Sequence, residues 1–184
     1  MSKATVFETI FITVGTTDFD DLIRALDTSE FLSFMTKSRC KRVIFQIGRG
    51  SFTPTYLEGI SQNSGQFRLE CFRFKPSLAD IMAESSLIIS HAGSGSMSEA
   101  LYLRKVLVVC INESLMDNHQ VELAEVLAEQ KYCTYTKPMH ICKYLNHNAE
   151  EEFRHLKVYP TADPEVFADF LDEVMGWNEK DKTN

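Results

Sequence analysis

The residues best suited to chemistry form one segment that follows a short apolar run at residues 87–90. The segment reads His91-Ala92-Gly93-Ser94-Gly95-Ser96-Met97-Ser98-Glu99-Ala100. Gly93 and Gly95 free the backbone where a helix is predicted to begin, and the first N–H groups and positive dipole end of a helix favour a bound diphosphate. Ser96 can add a hydroxyl hydrogen bond, and His91 can donate to a phosphate oxygen. We therefore expect a diphosphate site here.

Glu99 extends this prediction to a ribose. It is expected one helical turn beyond Ser96, on the same face of the helix. A carboxylate there can accept hydrogen bonds from both ribose hydroxyls, as acidic residues do in other nucleotide-binding folds. Two alternatives remain open on spacing alone. One is an ordinary Gly-Ser turn before a helix, and the other is a capping box that pairs Glu99 with Ser96.

A second strand end carries a glycine and hydroxyl groups. Gly15 directly follows the apolar run 9–14, so the backbone there can approach a phosphate closely, and Thr16 and Thr17 add hydroxyl donors. A plain strand-to-helix turn with a capping side chain is the alternative. The segment is not a Gly-x-Gly-x-x-Gly fingerprint, and no Gly-Lys-Ser/Thr follows it, which disfavours a dinucleotide site or an ATP P-loop.

A third group of polar side chains follows the apolar run 106–110. It reads Asp117-Asn118-His119-Gln120 at a predicted helix start. Four consecutive polar side chains can hold the hydroxyls of a sugar. The alternative is an ordinary helix start that Asp117 caps.

The elements that must position these residues alternate along the chain. Apolar, β-branched runs predict strands at residues 9–14, 42–47, 67–74, 87–90, 106–110 and 131–135. Helical patterns lie between and after them, at residues 19–26, 53–62, 77–85, 94–103, 117–130 and 163–177. Nearly continuous apolar runs are typical of parallel strands covered on both faces. We expect a doubly wound, mainly parallel α/β sheet of Rossmann-like type, with ligands at the carboxyl ends of the strands.

Bulk properties limit the possible partners. The 184 residues suggest a single domain over 1–184, with a short frayed tail at 180–184. A net charge of −7 without a basic run disfavours nucleic acid. No apolar run is long enough to span a membrane, and no signal peptide is evident. Five scattered cysteines fit small buried hydrophobic residues in the reduced cytosol better than disulfides or zinc ligands.

Two regions give weaker patterns. Residues 48–65 are polar and glycine-containing, which suggests a mobile loop and a short helix. Residues 136–160 contain His140, His147 and His155, whose spacing matches no metal-ligand pattern. We expect these histidines to lie on the solvated surface.

The motifs together resemble a known family. His91-x-Gly93-x-x-Ser96-x-x-Glu99, followed by His119-Gln120, resembles the donor half of GT-B glycosyltransferases that use UDP-sugars. With the segments 11–17 and 45–50, the similarity becomes specific for the two-subunit UDP-N-acetylglucosamine transferases that extend dolichol-linked GlcNAc-diphosphate. The similarity runs from about residue 9 to residue 130, and more loosely beyond.

This resemblance implies a role for each matching position. The diphosphate would face Gly15, Thr16 and Thr17 on one side, and His91, Gly93, Ser94, Gly95 and Ser96 on the other. Uracil would be read by the loop containing Phe74 and Lys75, and the ribose would be held by Glu99. The GlcNAc hydroxyls would contact Asn118, His119 and Gln120. The catalytic candidates are His91 and His119, although many family members have an acidic residue or glutamine where His119 stands.

The resemblance also implies a reaction and a partner. An acceptor hydroxyl would displace UDP from GlcNAc with inversion, with no cofactor and no essential metal. The chain supplies only a donor half, so a membrane-anchored acceptor subunit is expected as partner in a heterodimer at the cytosolic face of the endoplasmic reticulum. That subunit would present the dolichol-linked acceptor.

The helix at 163–177, with Trp177, is a candidate docking element, and packing on its own sheet is the alternative. An epimerase-like domain and a non-catalytic nucleotide-sugar-binding or scaffold protein remain the other function classes.

Overall fold

The computed structural model describes residues 5–112 and 118–160, with the backbone alone for 118–120. Its strands are β1 (Thr9–Thr13), β2 (Arg42–Gln46), β3 (Arg68–Phe72), β4 (Leu87–His91), β5 (Val106–Cys110) and β6 (Thr134–Thr136). Its helices are α1 (Asp20–Leu26), α2 (Ser29–Lys37), α3 (Thr55–Ser64), α4 (Ala79–Glu84), α5 (Ser94–Tyr102), α6 (Asn118–Glu129), α7 (Ile141–His147) and α8 (Ala149–Arg154). A 3-10 turn at Pro138–His140 precedes α7.

The strands form one sheet in the order β3-β2-β1-β4-β5-β6, and every described pairing is parallel. The chain winds outward from β1 in one direction, then returns to β4 and winds in the other. The carboxyl ends of β1 and β4 therefore lie side by side, with Thr13 paired to Ser90. This is the switch point where open α/β sheets bind ligands. The predicted doubly wound parallel sheet is confirmed.

Apolar side chains cover both faces of the sheet. Ile10 and Ile12 of β1 belong to one buried cluster, which includes residues of α1, α2, α7 and α8. Phe11, between them in sequence, belongs to the second cluster, with residues of α4, α5 and α6. Successive side chains of a strand point to opposite faces. Burial on both faces is the physical reason that β1 and β4 read as continuous apolar runs rather than alternating ones.

The structure adds helices where none was predicted. Helix α2 begins after Thr28, whose hydroxyl accepts a hydrogen bond from Phe31 N at 3.4 Å. Phe31, Phe34 and Met35 of α2 are buried, at the spacing of one helical face. This N-cap and spacing were present in the sequence and could have predicted the helix. Helices α7 and α8 occupy the region 136–160 that gave no clear pattern.

Several smaller predictions have clear outcomes. His140, His147 and His155 are exposed, as expected. Cys40, Cys110 and Cys133 are buried, but the interpretation of all five cysteines as buried is wrong for Cys71, which is exposed on the edge strand β3. The predicted helix 163–177 and the tail 180–184 lie outside the described residues. Within the described ranges, no helix is long and apolar enough to cross a membrane.

Candidate functional site

The site is built around His91, the last residue of β4. Its imidazole ring lies between two glycine backbones at the switch point. A Cβ on Gly15 would lie 2.5 Å from Cε1 and 2.8 Å from Nε2 of the ring, and a Cβ on Gly93 would collide with Nε2. Gly15 also has a φ of +61°, which favours glycine. Any side chain at either position would displace the ring, so the histidine and the two glycines form one packed unit.

His91 is a buried polar group with unused hydrogen-bonding capacity. The residue is 8% exposed, and Nδ1 has no hydrogen-bond partner among the described residues. Burial lowers the pKa of His91. The nearby backbone of Thr13 raises it by a smaller amount, although its contact with the ring does not have the geometry of a standard hydrogen bond. The ring is therefore neutral near pH 7. Nδ1 is thus a buried polar atom held close to the backbone at the carboxyl end of β1.

The start of α5 provides a second set of free donors. Gly93 is the N-cap and makes no side-chain capping bond, and the N–H of Met97 is the first to bond back, to Gly93 O at 3.0 Å. The N–H groups of Ser94, Gly95 and Ser96 donate to no other described residue. Together with the positive end of the helix dipole, these N–H groups beside His91 are suited to bind an anion.

Ser96 and Glu99 lie on one face of α5, and both side chains are half-buried. The capping-box alternative for this pair is wrong. A capping box needs the serine at the N-cap, whereas Ser96 is the third residue of the helix and Gly93 is the N-cap. The Glu99 carboxylate is therefore not used to cap the helix that carries it. It lies one turn beyond the free N–H groups, where the predicted ribose would follow the diphosphate.

The loop after β1 offers fewer donors than the sequence suggested. Gly15 N donates to Thr13 Oγ1 at 3.1 Å, and Thr17 uses both its N–H and its hydroxyl on Val14 O, at 3.3 and 2.9 Å. The prediction that Thr17 supplies a free hydroxyl donor is therefore wrong, because an internal turn bond uses it. Thr16 is exposed, and no hydrogen bond joins it to another described residue. The Thr16 hydroxyl is therefore the one of the two predicted hydroxyl donors that no described hydrogen bond uses.

Three polar side chains that sequence reasoning missed hold this loop and the neighbouring loop between β2 and α3 in place. Gln46 Nε2 donates to Gly15 O at 2.9 Å. Arg73 Nη1 donates to Gly50 O at 2.6 Å and to Gly48 O at 3.3 Å. The carboxylate of Asp20 accepts three hydrogen bonds from the same neighbouring loop, from Ser51 N, Ser51 Oγ and Phe52 N, at 3.1, 2.6 and 3.1 Å. Burial alone would raise the pKa of Asp20, but these bonds bring it below its usual range.

The expected base-binding residues lie in the loop between β3 and α4. Phe74 is 53% exposed, and the Lys75 ammonium lies 4.5 Å from the ring centroid of Phe72. The loop follows the carboxyl end of β3, at the same edge of the sheet as His91, and leads into α4, which packs against α5. An exposed aromatic ring at this edge is suited to cover a planar base.

The expected sugar contacts fall at the start of α6. The backbone of α6 begins at Asn118, after β5 and at the same edge of the sheet. The side chains of Asn118, His119 and Gln120 lie outside the described residues, so their contacts remain predictions. Asp117, the alternative N-cap, lies there too.

Two other properties of the described residues bear on the site. Among residues 5–112 and 118–160, no cluster of three or more histidine, cysteine and acidic side chains could hold a metal ion. A cleft of about 440 Å³ opens at the carboxyl edge of β5 and β6, lined in part by Phe19, Ile111 and Met139. It lies beside α1, whereas α5 covers the opposite face of the sheet, and His91 is not among its lining residues. We place the site at His91 because the free donors are there.

Comparisons with known proteins identify the family of this chain. The model of the glycosyltransferase family 28 C-terminal domain matches residues 9–168. The human UDP-N-acetylglucosamine transferase subunit ALG13 is 45% identical over 128 residues, which cover 68% of this chain and 11% of that protein. The chain therefore spans about a tenth of the length of this relative.

Solved structures give the same result. The NMR solution structure of ALG13 has a TM-score of 0.64 and 26% identity, over 90% of this chain and 96% of that one. The crystal structure of Acinetobacter baumannii MurG has a TM-score of 0.57 and 18% identity, over 76% of this chain and 39% of that one, and is evidence for the fold alone. The fold is that of the C-terminal Rossmann-like half of a GT-B glycosyltransferase, and the matches support a glycosyltransferase role. The chain belongs to the glycosyltransferase family 28 C-terminal domain family and is a homologue of the UDP-N-acetylglucosamine transferase subunits.

Proposed function

We propose that this chain is the donor-binding catalytic subunit of an inverting UDP-GlcNAc transferase that adds GlcNAc to GlcNAc-diphosphodolichol. The observation that carries the proposal is the set of free N–H groups at the start of α5, beside the buried ring of His91. The absence of side chains at Gly15 and Gly93 lets the ring lie between the two loops that would hold the diphosphate. The names of the relatives, which include UDP-N-acetylglucosamine and the word subunit, support the choice of donor.

In this reaction an acceptor hydroxyl attacks the anomeric carbon of GlcNAc. The bond between that carbon and the diphosphate oxygen breaks, and UDP leaves with the electron pair. The charge that develops on the diphosphate faces Thr16 and the N–H groups of Ser94 and Gly95, which are already oriented. Such preorganised donors stabilise the transition state more than the ground state. A neutral His91 adds one ring N–H donor, or accepts a proton if the diphosphate raises its pKa.

The remaining donor contacts follow from the order of groups in UDP-GlcNAc. Glu99 would accept from the ribose hydroxyls, one turn along α5 from the diphosphate. The loop containing Phe74 and Lys75 would cover uracil. Asn118, His119 and Gln120 would contact GlcNAc, with His119 a second catalytic candidate. No cofactor or metal is proposed. The attacking hydroxyl needs a general base, which we place with the acceptor rather than among the described residues of this chain.

The acceptor requires a partner in this proposal. A GT-B active site lies between two Rossmann-like halves, and the described residues form one of them. We propose a membrane-anchored subunit that presents the dolichol-linked acceptor at the cytosolic face of the endoplasmic reticulum, with this chain recruited to it as a heterodimer. Residues 163–177 are the candidate docking segment. A transferase assay with and without the co-expressed subunit tests this arrangement, and robust transfer by the isolated chain would contradict it.

A substitution at Gly95 tests the donor site most directly. An added Cβ at this position meets nothing within 4 Å, and alanine favours a helix, so Gly95→Ala should fold at least as well as the wild type. If a diphosphate lies against this backbone, the new methyl group will weaken UDP binding by roughly tenfold or more. Gly59→Ala is the matched control, since Gly59 also lies in a helix with nothing within 4 Å of an added Cβ. Isothermal titration calorimetry with UDP gives the comparison, and equal affinities for the two variants would contradict the proposed site.

A further inference from the structure

The amide of Gln46 joins two loops that the proposed function assigns to different parts of the nucleotide. Gln46 is the last residue of β2 and is 3% exposed. Its Nε2 donates to Gly15 O at 2.9 Å and to Arg73 O at 3.3 Å. Gly15 belongs to the loop that faces the diphosphate, and Arg73 directly precedes Phe74 in the loop that would cover the base. One planar group therefore holds a carbonyl from each loop.

Thr13 completes the connection on the diphosphate side. Its hydroxyl donates to Gln46 Oε1 and accepts from Gly15 N at 3.1 Å. The Thr13–Gln46 pair thus fixes both backbone polar groups of Gly15, and its four described hydrogen bonds are all made inside the protein. The pair is possible because the parallel register places Thr13 of β1 next to Gln46 of β2. Both side chains are buried, so water does not compete for these bonds.

Arg73 extends the connection to the loop between β2 and α3. Its guanidinium donates to the carbonyl groups of Gly48 and Gly50. Gly48 in turn lies against the diphosphate-facing loop, since a Cβ there would lie 2.8 Å from Gly15 O. A displacement of the loop after β3 must therefore move Gly15 or break one of the two Gln46 bonds. The amide cannot follow both carbonyls if they separate.

We infer that Gln46 is a positioning residue that couples base binding to diphosphate binding. This inference rests on the proposed function, because it assigns the two loops to uracil and to the diphosphate. With the amide in place, a uracil ring held by the loop after β3 fixes Gly15 and orients Thr16 toward the diphosphate. Without the amide, each loop binds its part of the ligand independently. The coupling therefore favours a complete uridine diphosphate over either part alone.

The test compares UDP with uridine, which lacks the diphosphate. Gln46→Met keeps the length of the side chain and removes both N–H donors, and Thr13→Val keeps the β-branched shape and removes the hydroxyl. Because each removes hydrogen bonds that orient Gly15, we expect the ratio of UDP affinity to uridine affinity to fall by about tenfold. Thr13→Ser retains the hydroxyl and should keep the wild-type ratio. A purely structural loss lowers the folded fraction and leaves the ratio unchanged.

The outcomes separate this inference from the proposed function. If the wild-type chain fails to bind UDP, the proposed function is overturned, and the inference with it. If the wild type binds UDP and Gln46→Met and Thr13→Val keep its affinity ratio within about twofold, only the coupling is overturned. Should neither variant fold, NMR of the wild-type chain decides. Uridine alone must then shift the backbone amide resonance of Gly15, and an unshifted Gly15 amide would overturn the coupling.

Discussion

Replacing Gly15 with alanine tests the packed unit of His91 and its glycines, because the chain offers a matched control at Gly65. Both glycines have left-handed backbone, with φ of +61° and +63°. An alanine in this region costs about 1–2 kcal/mol at either position. The gain from a stiffer unfolded chain, about 0.4–1 kcal/mol, applies to both and cancels in the comparison. At Gly65 an added Cβ meets nothing within 4 Å, so the backbone term acts alone.

At Gly15 a second cost is added. The new Cβ would lie 2.5 Å from Cε1 of His91, whereas carbon atoms in contact normally lie about 3.5–4.0 Å apart. The ring must move by about 1 Å, and Gly93 blocks it on the other side. Overpacking of this kind costs about 1–3 kcal/mol. We therefore expect Gly15→Ala to lower the free energy of unfolding by about 1–3 kcal/mol more than Gly65→Ala does. In a chain of this size, each kcal/mol lowers Tm by about 2–4 °C.

The assay is a double-mutant cycle measured by chemical denaturation. Gly15→Ala is made in the wild type and in a His91→Ala background, where the obstructing ring is gone. In that background the cost should fall to the level of Gly65→Ala, giving a coupling energy of about 1–3 kcal/mol. UDP affinity should fall in Gly15→Ala and stay unchanged in Gly65→Ala. An identical cost of Gly15→Ala in both backgrounds would refute the idea that the ring and the glycine are packed against each other.

The remaining predictions concern the charge and the ribose. Burial lowers the pKa of His91 in the free chain, and a bound diphosphate should raise it, so binding should take up a proton and strengthen as the pH falls through the pKa of the complex. Calorimetry with UDP-GlcNAc in buffers of different ionisation enthalpy measures that proton, and proton uptake that persists in His91→Asn would disprove the assignment. Glu99→Gln should weaken UDP binding by roughly tenfold, since a charged acceptor is lost, but leave 2′,3′-dideoxy-UDP binding unchanged. An equal loss for both nucleotides would place Glu99 away from the ribose.

The sequence was informative where local rules determine the structure. Burial on both faces of β1 and β4 leaves continuous apolar runs, and Gly93 before Ser94 marks the start of α5, so the switch point and its helix could be located. Helix α2 was missed although Thr28 caps it, because its short apolar pattern falls between two stronger elements. The strand predicted at residues 131–135 is β6 at Thr134–Thr136 in the structure, because a short, partly exposed edge strand leaves only a weak apolar pattern.

The supporting side chains of the site could not be predicted in this way. Gln46 reads as the polar end of a strand, and its role depends on the register that places it beside Thr13, far away in sequence. Asp20 reads as an acidic residue in the first turn of α1, whereas its carboxylate binds Ser51 and Phe52 of another loop. Such contacts arise only when the whole sheet has formed, so no local pattern encodes them.

The ring of His91 has a consequence for how this site can change over evolutionary time. Gly93 has an ordinary extended backbone, with φ of −75°, and the three atoms nearest to an added Cβ there all belong to the imidazole. Gly15 is restricted by the ring and by its own left-handed φ. A lineage must therefore lose the histidine before position 93 can diverge, while position 15 keeps a preference for glycine even afterwards. Substitutions at positions 91 and 93 are thereby ordered in time, and among descendants of such a chain a larger residue at position 93 records that the imidazole was already gone.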